Sequence, residues 1–289
     1  MDRKHADPPE PTPAAPPFAA RPLAPRIGAE IIGLDLRQAL DAAVFAALRD
    51  AWHAHNILLF RGQSLNEAEQ VRFAEYFGPL GKSVNKHDGH GAHPAAMYVS
   101  NIRKDGKLIG ALPDGEMMFH SDQCYTERPC AGAMLYAMEI PARGGNTLFA
   151  NMYAAYEALP ETTKHRLDGL TAVNVYDYAQ NPTQRGASAE APHYVHPVVR
   201  THPATGRKAL YVNRLMTQRI LGLPEEESTA LLARLFDHQE QAAFVYEHVW
   251  RPGDLMMWDN RCTLHARTDF DASERRMLRR VILLGDEPC

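Results

Sequence analysis

A mainly β fold with helical decoration, a two-sheet jelly-roll barrel, is the class that the order of sequence signals predicts. Three observations point there. Short apolar runs bounded by glycine, proline or polar residues recur from residue 97 to residue 284. Amphipathic helical spacing is concentrated at the front and inserted once more late in the chain. Strands and helices do not alternate as βαβ units would, and no internal repeat is visible.

Residues 1–24 are rich in proline, alanine and charge, with P-P-E-P-T-P-A-A-P-P at their centre. Such a stretch cannot bury enough apolar surface to offset its ordering entropy, so a disordered tail is expected, with one domain over 25–289. A short strand over 27–32 is stopped by Gly33. Val44, Phe45, Leu48 and Trp52 fall at helical spacing and predict an amphipathic helix over 41–54. Residues 57–60 read as a buried strand, and Ser64 as the cap of a helix through Tyr76. Between 84 and 115 the pattern weakens to loop, with strand signals only at 97–102 and 107–109. Strands follow at 133–138 and 147–150, joined by the Gly144-Gly145 turn, and then helices at 152–158 and 161–168. Residues 181–192 are polar and predict a mobile excursion. Further strands are expected at 195–201, 208–212, 245–249, 254–258 and 277–284, with a helix at 224–239.

Composition narrows the function. The chain has 289 residues, 45% hydrophobic and 23% charged, which suits one large domain or two small ones. A formal net charge of −4 leaves no electrostatic footprint for nucleic acid. No apolar run is long enough to cross a bilayer, and no signal peptide opens the sequence. The four cysteines have neither C-x-x-C spacing nor disulfide density, and Cys124 and Cys262, near the proposed ligands, read as small buried packing residues with free thiols. A cytoplasmic protein acting on a small molecule is the expectation.

His120 and Asp122 form an H-x-D pair after the apolar Met117-Met118-Phe119, and His265 ends W-D-N-R-C-T-L-H. Residues i and i+2 of a strand share a face, so His120 and Asp122 can converge on one ion while His265 must arrive from another strand. Two imidazoles and one carboxylate are what octahedral iron(II) takes when three facing positions must stay open. His265 is expected just beyond the apolar strand Leu255-Met256-Met257-Trp258, at a barrel rim. Competing readings exist. His87, His90 and His93 cluster in a glycine-rich loop and could mimic a zinc site, but no carboxylate or cysteine completes it. A zinc hydrolase on the H-x-D…H set lacks a placed water-activating base. A non-catalytic barrel binder is the remaining alternative. His53, His55, His196, His202, His238 and His248 read as structural or surface residues.

These segments carry a resemblance. F-H-S-D, G-G-N-T-L-F-A-N-M-Y-A-A-Y-E-A-L-P, H-P-V-V-R-T-H-P-A-T-G-R-K-A-L-Y-V-N and W-D-N-R-C-T-L-H, followed by E-R-R-M-L-R-R, resemble the TauD/TfdA family over about residues 27–288. Its members are iron(II)- and 2-oxoglutarate-dependent dioxygenases, among them taurine and 2,4-dichlorophenoxyacetate dioxygenases. The resemblance implies a double-stranded β-helix, Fe(II) on His120, Asp122 and His265, and 2-oxoglutarate and O2 as co-substrates. It implies that Arg276 pairs with the distal carboxylate of 2-oxoglutarate, assisted by Thr147, and that Arg280 lies at the substrate's anionic end near the co-substrate. It further implies a homodimer or tetramer. A planar guanidinium grips a carboxylate with two parallel hydrogen bonds, which lysine cannot reproduce. Asp259, Asn260 and Arg261 are expected to orient the loop bearing His265, and Trp258 and the glycine pair to be packing and turn.

Departures from the family pattern bear on the substrate. Taurine enzymes carry a histidine soon after F-G-x-L and an asparagine shortly before H-x-D. Here F-G-P-L-G-K-S-V and Glu116-Met117-Met118-Phe119 stand at those places. Leu215-Met216 after V-N makes an adaptable apolar wall. The pieces V-S-N-I-R-K-D-G-K and F-V-Y-E-H-V-W-R-P-G-D-L-M-M-W-D-N-R-C are closer to the aryloxyalkanoate branch. The expected reaction is hydroxylation of a small anionic substrate, aryloxyalkanoate-like or another apolar acid, with cleavage where the new hydroxyl lands beside a heteroatom. A taurine or alkylsulfonate dioxygenase and a biosynthetic hydroxylase without cleavage are the alternatives. Arg280, Tyr125, Met216 and Asn101 are the expected substrate contacts, with the loop over 85–93 shaping the rest.

Overall fold

The computed structural model describes residues 18–82, 92–110, 116–176 and 191–289. The chain opens with strands β1 (Ala19–Pro22) and β2 (Ala29–Ile32), helix α1 (Ala42–His55), β3 (Ile57–Phe60) and α2 (Glu67–Glu75). Then come β4 (Ala96–Ser100), the small β5 (Arg103–Lys104) and β6 (Lys107–Leu108), and β7 (Met117–His120). β8 (Gly132–Glu139) and β9 (Thr147–Asn151) precede α3 (Met152–Glu157) and α4 (Glu161–Leu167). The middle holds β10 (Thr171–Val175), β11 (His193–Pro197), β12 (Val199–Thr201), β13 (Lys208–Leu210) and β14 (Thr217–Ile220). After α5 (Glu225–Gln239) the chain closes with β15 (Val245–His248), β16 (Leu255–Asp259), β17 (Thr263–Arg267) and β18 (Met277–Leu283).

Two sheets position the site. One has seven strands in the order β1-β2-β3-β16-β8-β18-β4, the other four in the order β15-β9-β17-β7. Apart from the parallel β2–β3 contact, their pairings are antiparallel. Alternation along the strands divides the core. Ile57, Leu59, Ala133, Leu135, Met256, Trp258, Leu278 and Ile282 face inward and meet Phe149 of the smaller sheet. Leu58, Phe60, Met134, Met257 and Val281 face outward and pack under α1 and α2 through Leu48, Trp52, Val71 and Phe73. On the far side Ala150 and Leu264 back the smaller sheet against α3, α5 and the strands near them. The result is mainly β with helices on the outside, as expected; among the described residues the strands do not close into one barrel.

Local chemistry explains the element ends. Asp41 caps α1 by accepting from the Val44 amide at 2.8 Å. The cap of α2 is Asn66, not Ser64: Asn66 and Glu69 form a reciprocal capping box. The expected strand over 195–201 is split, because at Val198 the chain leaves β10 as partner and joins β13. The tail boundary expected at residue 24 falls too late. Phe18 is buried, and Ala19–Pro22 pair with β2. The tail's first seventeen residues lie outside the described residues, as do most of the 85–93 loop and the 181–190 part of the polar excursion.

Asp259, at the end of β16, is the charged anchor of this core. Its carboxylate accepts from Arg261 Nε (2.8 Å) and Nη2 (2.7 Å) and pairs with His202 Nε2 at 3.0 Å. His202 Nδ1 accepts from the Ala204 and Thr205 amides, so Nε2 is the protonated nitrogen that donates to Asp259. Burial alone would raise this carboxyl, but Arg261 and then His202 outweigh it and hold Asp259 well below the usual carboxylate range. A depressed carboxyl contributes stability that is present above its unfolded value and lost as pH falls below it. Asp259→Asn is therefore expected to lose about 3–5 kcal/mol at neutral pH by leaving a buried guanidinium uncompensated. Its thermal stability should also vary less than wild type's below about pH 4; calorimetry across pH 3–7 checks both.

Candidate active site

The inner face of the smaller sheet carries the chemistry. β7 and β17 pair so that His120 stands opposite His265, with ring centroids 4.1 Å apart. His265 arrives from another strand, as expected, but stands in the middle of that strand, β17, and not at a rim just beyond β16. Asp122 likewise is not a strand residue; it follows the end of β7 in a turn. The H-x-D pair thus converges through a turn, not through strand alternation. His120 Nε2 is 3.8 Å from Asp122 Oδ1, and His265 Nε2 is 3.8 Å from Oδ2. All three donor atoms lie within 4.8 Å of one another.

The donor set fits a divalent metal. His120 Nδ1 lies 2.9 Å from the Met118 carbonyl and donates to it, which leaves the Nε2 lone pair facing the cluster. Burial, then the neighbouring His120, pulls His265 down to about 3, and burial lowers His120 too, so both rings are neutral donors at neutral pH. Burial would raise Asp122, but the Arg280 guanidinium foremost keeps it below its ordinary value. Its Oδ2 is buried without a hydrogen-bond partner. A bare carboxylate oxygen between two imidazole nitrogens is a group that a cation would satisfy.

Arg280 lies on β18 and Arg276 immediately before it, both in phase with the inward-facing Leu278. Arg276 is 2% exposed, and its Nε and Nη2 donate to the Gly145 carbonyl at 3.3 and 3.1 Å. Nη1 is buried and unpartnered. Burial, then Arg267, lowers Arg276 to about 9, so it remains a cation at pH 7. The Gly144-Gly145 turn is more than a turn: both residues have positive φ, and a Cβ at Gly145 would stand 3.0 Å from Arg276 Nε. Thr147 Oγ1 accepts from Trp250 Nε1 at 3.0 Å, which keeps its own proton for donation. Arg280 Nη1 lies 3.5 Å from Asp122 Oδ1.

Tyr125 and Met216 join Met117, Met118, Cys124, Tyr211 and Leu215 in one apolar cluster beside Asp122. Tyr125 packs against Tyr176 at 4.5 Å. Asn101 does something other than expected. Its amide donates to the Glu274 carbonyl at 2.8 Å and accepts from the Arg276 amide at 2.9 Å, so it holds the chain entering β18. Asn260 holds the Asp122 turn and not, as expected, the His265 strand: its Oδ1 accepts from the Asp122 amide at 2.9 Å. Sequence reasoning missed Trp250, Arg267 and Gly145 as parts of the site. Their signal was only positional: Arg267 shares the strand face of His265, and Trp250 follows shortly after β15, whose His248 pairs with Thr147. His196, His202, His238 and His248 are structural, each hydrogen-bonded to a backbone carbonyl or a buried carboxylate.

The model of the taurine catabolism dioxygenase TauD, TfdA family matches residues 19–282. The chain belongs to the TauD, TfdA family. It is 36% identical over 286 residues to the alpha-ketoglutarate-dependent 2,4-dichlorophenoxyacetate dioxygenase of Cupriavidus pinatubonensis, covering 92% of this chain and 98% of that protein. The solved structure of a taurine dioxygenase from Burkholderia xenovorans is similar with a TM-score of 0.81 at 32% identity, over 94% of this chain and 91% of that one. AAD-2, solved with Mn(II) and N-oxalylglycine, is similar with a TM-score of 0.80 at 31% identity, over 94% and 98%. As a TauD, TfdA family member the chain is an oxidoreductase, a dioxygenase that uses iron(II), 2-oxoglutarate and O2.

Metal binding gives a direct test of the cluster. A ligand present at a hundred times its Kd stabilises the folded state by about 2.7 kcal/mol. Wild type should show such a rise in Tm with Mn(II) or Fe(II) under argon. Asp122→Ala should lose the rise while its metal-free Tm stays near wild type's, because Oδ2 makes no hydrogen bond and Oδ1 only a 3.5 Å contact with the partly exposed Arg280.

Proposed function

We propose that the chain hydroxylates a small organic anion with an apolar, aryloxyalkanoate-like body, with His120, Asp122 and His265 holding iron(II) and Thr147 and Arg276 holding 2-oxoglutarate. The observation that carries the reading is Arg276: a buried guanidinium with an unpartnered Nη1, immediately before β18 and in phase with the inward-facing Leu278. A metal hydrolase or a simple binder has no need of such a clamp. Iron(II) with 2-oxoglutarate supplies the oxidising power, O2 being consumed as the keto acid loses CO2 to become succinate while one oxygen atom enters a substrate C–H bond.

The residues orient and shield. Nη1 and the second Nη2 proton of Arg276 face a carboxylate end-on as a two-bond fork, with the Thr147 proton as a third donor. Arg280 swings from Asp122 to the substrate's anionic group. Tyr125 and Met216 form the wall against the apolar body, and the bulk of this cluster keeps water from the reacting carbon. Where the hydroxylated carbon also bears an ether oxygen, the new hydroxyl loses its proton, a C=O forms and the ether C–O bond breaks, releasing a phenol. The likeness to the 2,4-dichlorophenoxyacetate enzyme and the methionine wall favour this class. The likeness to a taurine dioxygenase structure keeps alkylsulfonates as the second reading.

The two facing sheets read as the halves of a double-stranded β-helix, within one domain that runs from Phe18 to the end of the sequence. A cytoplasmic homodimer or tetramer completes the proposal. Among the described residues no helix is long and apolar enough to cross a membrane.

Two measurements decide. Succinate formation should be stimulated by aryloxyacetates over alkylsulfonates and aminoalkylphosphonates, and a clear preference for taurine would reverse the substrate assignment. Arg276→Lys should keep metal but weaken 2-oxoglutarate ten- to a hundred-fold, since a lost charged hydrogen bond is worth roughly 1.5–3 kcal/mol; an unchanged co-substrate Kd removes Arg276 from its role.

A further inference from the structure

Asp122 lies two residues beyond His120, the last residue of β7, in a turn where no neighbouring strand serves its backbone N–H and C=O. Both groups are buried and need partners. One side chain serves both, with the Cys130 thiol a longer second donor to the carbonyl at 3.8 Å. Asn260 Oδ1 accepts from the Asp122 amide at 2.9 Å, and Asn260 Nδ2 donates to the carbonyls of Asp122 and Cys130, each at 3.0 Å. A carboxamide carries the same donor and acceptor as a peptide, so it stands where the next rung of the ladder would be.

Asn260 is itself held. Its amide donates to the Ala131 carbonyl at 3.0 Å, and its carbonyl accepts from Ser121 Oγ at 3.1 Å. The residues on either side of it are locked by the Asp259–Arg261 fork. By contrast the Asp122 carboxylate has little to fix it: Oδ2 has no hydrogen-bond partner, and Oδ1 has Arg280 at 3.5 Å. Its direction is therefore set by where its backbone is pinned.

We propose that Asn260 is a positioning residue for the metal site, a surrogate strand that aims the Asp122 carboxylate at the two imidazoles. The inference rests on the triad reading given above. It separates from a plain packing role because packing loss lowers stability without changing affinity for the ion.

The test is an anaerobic titration of metal-free protein with Co(II), followed by visible absorption, beside thermal unfolding. Asn260→Asp has nearly the same volume and keeps an acceptor for the Asp122 amide, but loses both donations to carbonyls; Asn260→Ala loses all three bonds. Both variants should bind Co(II) at least tenfold more weakly, within the ten- to hundred-fold range usual for groups that orient metal ligands. Val281→Ala, in the outer core away from the site, should lower Tm and leave Co(II) affinity within about twofold of wild type. A folded Asn260→Asp with wild-type affinity overturns the proposal, and so does an equal loss of affinity in Val281→Ala. Wild-type protein that takes up no Co(II) would instead overturn the triad reading itself.

Discussion

The antiparallel ladder that sets His120 opposite His265 is the constraint on which the rest of the site depends. Neighbouring strands stand a fixed distance apart, so two inward side chains at paired positions meet without any further arrangement. The ladder brings two neutral nitrogen donors together but cannot bring a third group from the same strand pair, because those flanking positions face away or lie too far along. The carboxylate must come from beyond the strand, where the chain is free to turn. That freedom has to be removed again. The Asp259–Asn260–Arg261 turn does so, and it can because Asp259 is anchored to Arg261 and His202 in the protein interior. A network of this kind contributes definition more than net stability, since the desolvation of its charges offsets much of their attraction.

Most of the fold was legible because its core strands are fully buried and strongly apolar. I-L-L-F at β3 and L-M-M-W at β16 have no other comfortable place, and the helical spacing of Val44, Leu48 and Trp52 names the face that α1 buries. The strands that escaped reading are those with mixed surfaces. β14 is T-Q-R-I with two exposed central residues, and β10 buries Asn174, whose amide oxygen accepts from Thr217. β17 hides in a different way: T-L-H-A-R looks polar, yet every residue is buried because the polar ones face the site. An active-site strand breaks the hydrophobic pattern for functional reasons, and a pattern-based reading loses it there.

The candidate site was legible in its residue types and only partly in its architecture. H-x-D and the later histidine announce themselves by chemistry. Asn101 does not: an asparagine near a pocket is read as a contact, and only the observed bonds to the chain around Arg276 reveal a clamp. Asn101 and Asn260 act in the same way on the backbone. Each uses one side-chain amide to replace a missing ladder rung beside a functional residue, which no spacing rule in a single sequence reports. The glycine at 145 belongs with them, since its role is to be absent as a side chain where Arg276 lies down.

Charge then decides what enters. Arg276 has no ion-pair partner among the described residues, and burial already draws it down to about 9. A buried guanidinium in that condition carries a standing penalty that an incoming carboxylate would relieve; in the proposed role, Arg276 would recognise the co-substrate by relief of that electrostatic penalty as much as by new contact. Arg280 is different. It is partly exposed and already leans on Asp122, and a guanidinium accepts carboxylate, sulfonate or phosphonate with little preference. If Arg280 meets the substrate's anionic group as proposed, selectivity among substrates resides in the apolar wall. Each methylene gained or lost there is worth about 1–3 kcal/mol in a rigid pocket. Methionines are not rigid: Met117, Met118 and Met216 can refill the space left by a smaller body, which softens that discrimination. A wall so built sorts apolar from polar bodies sharply and apolar bodies among themselves only loosely.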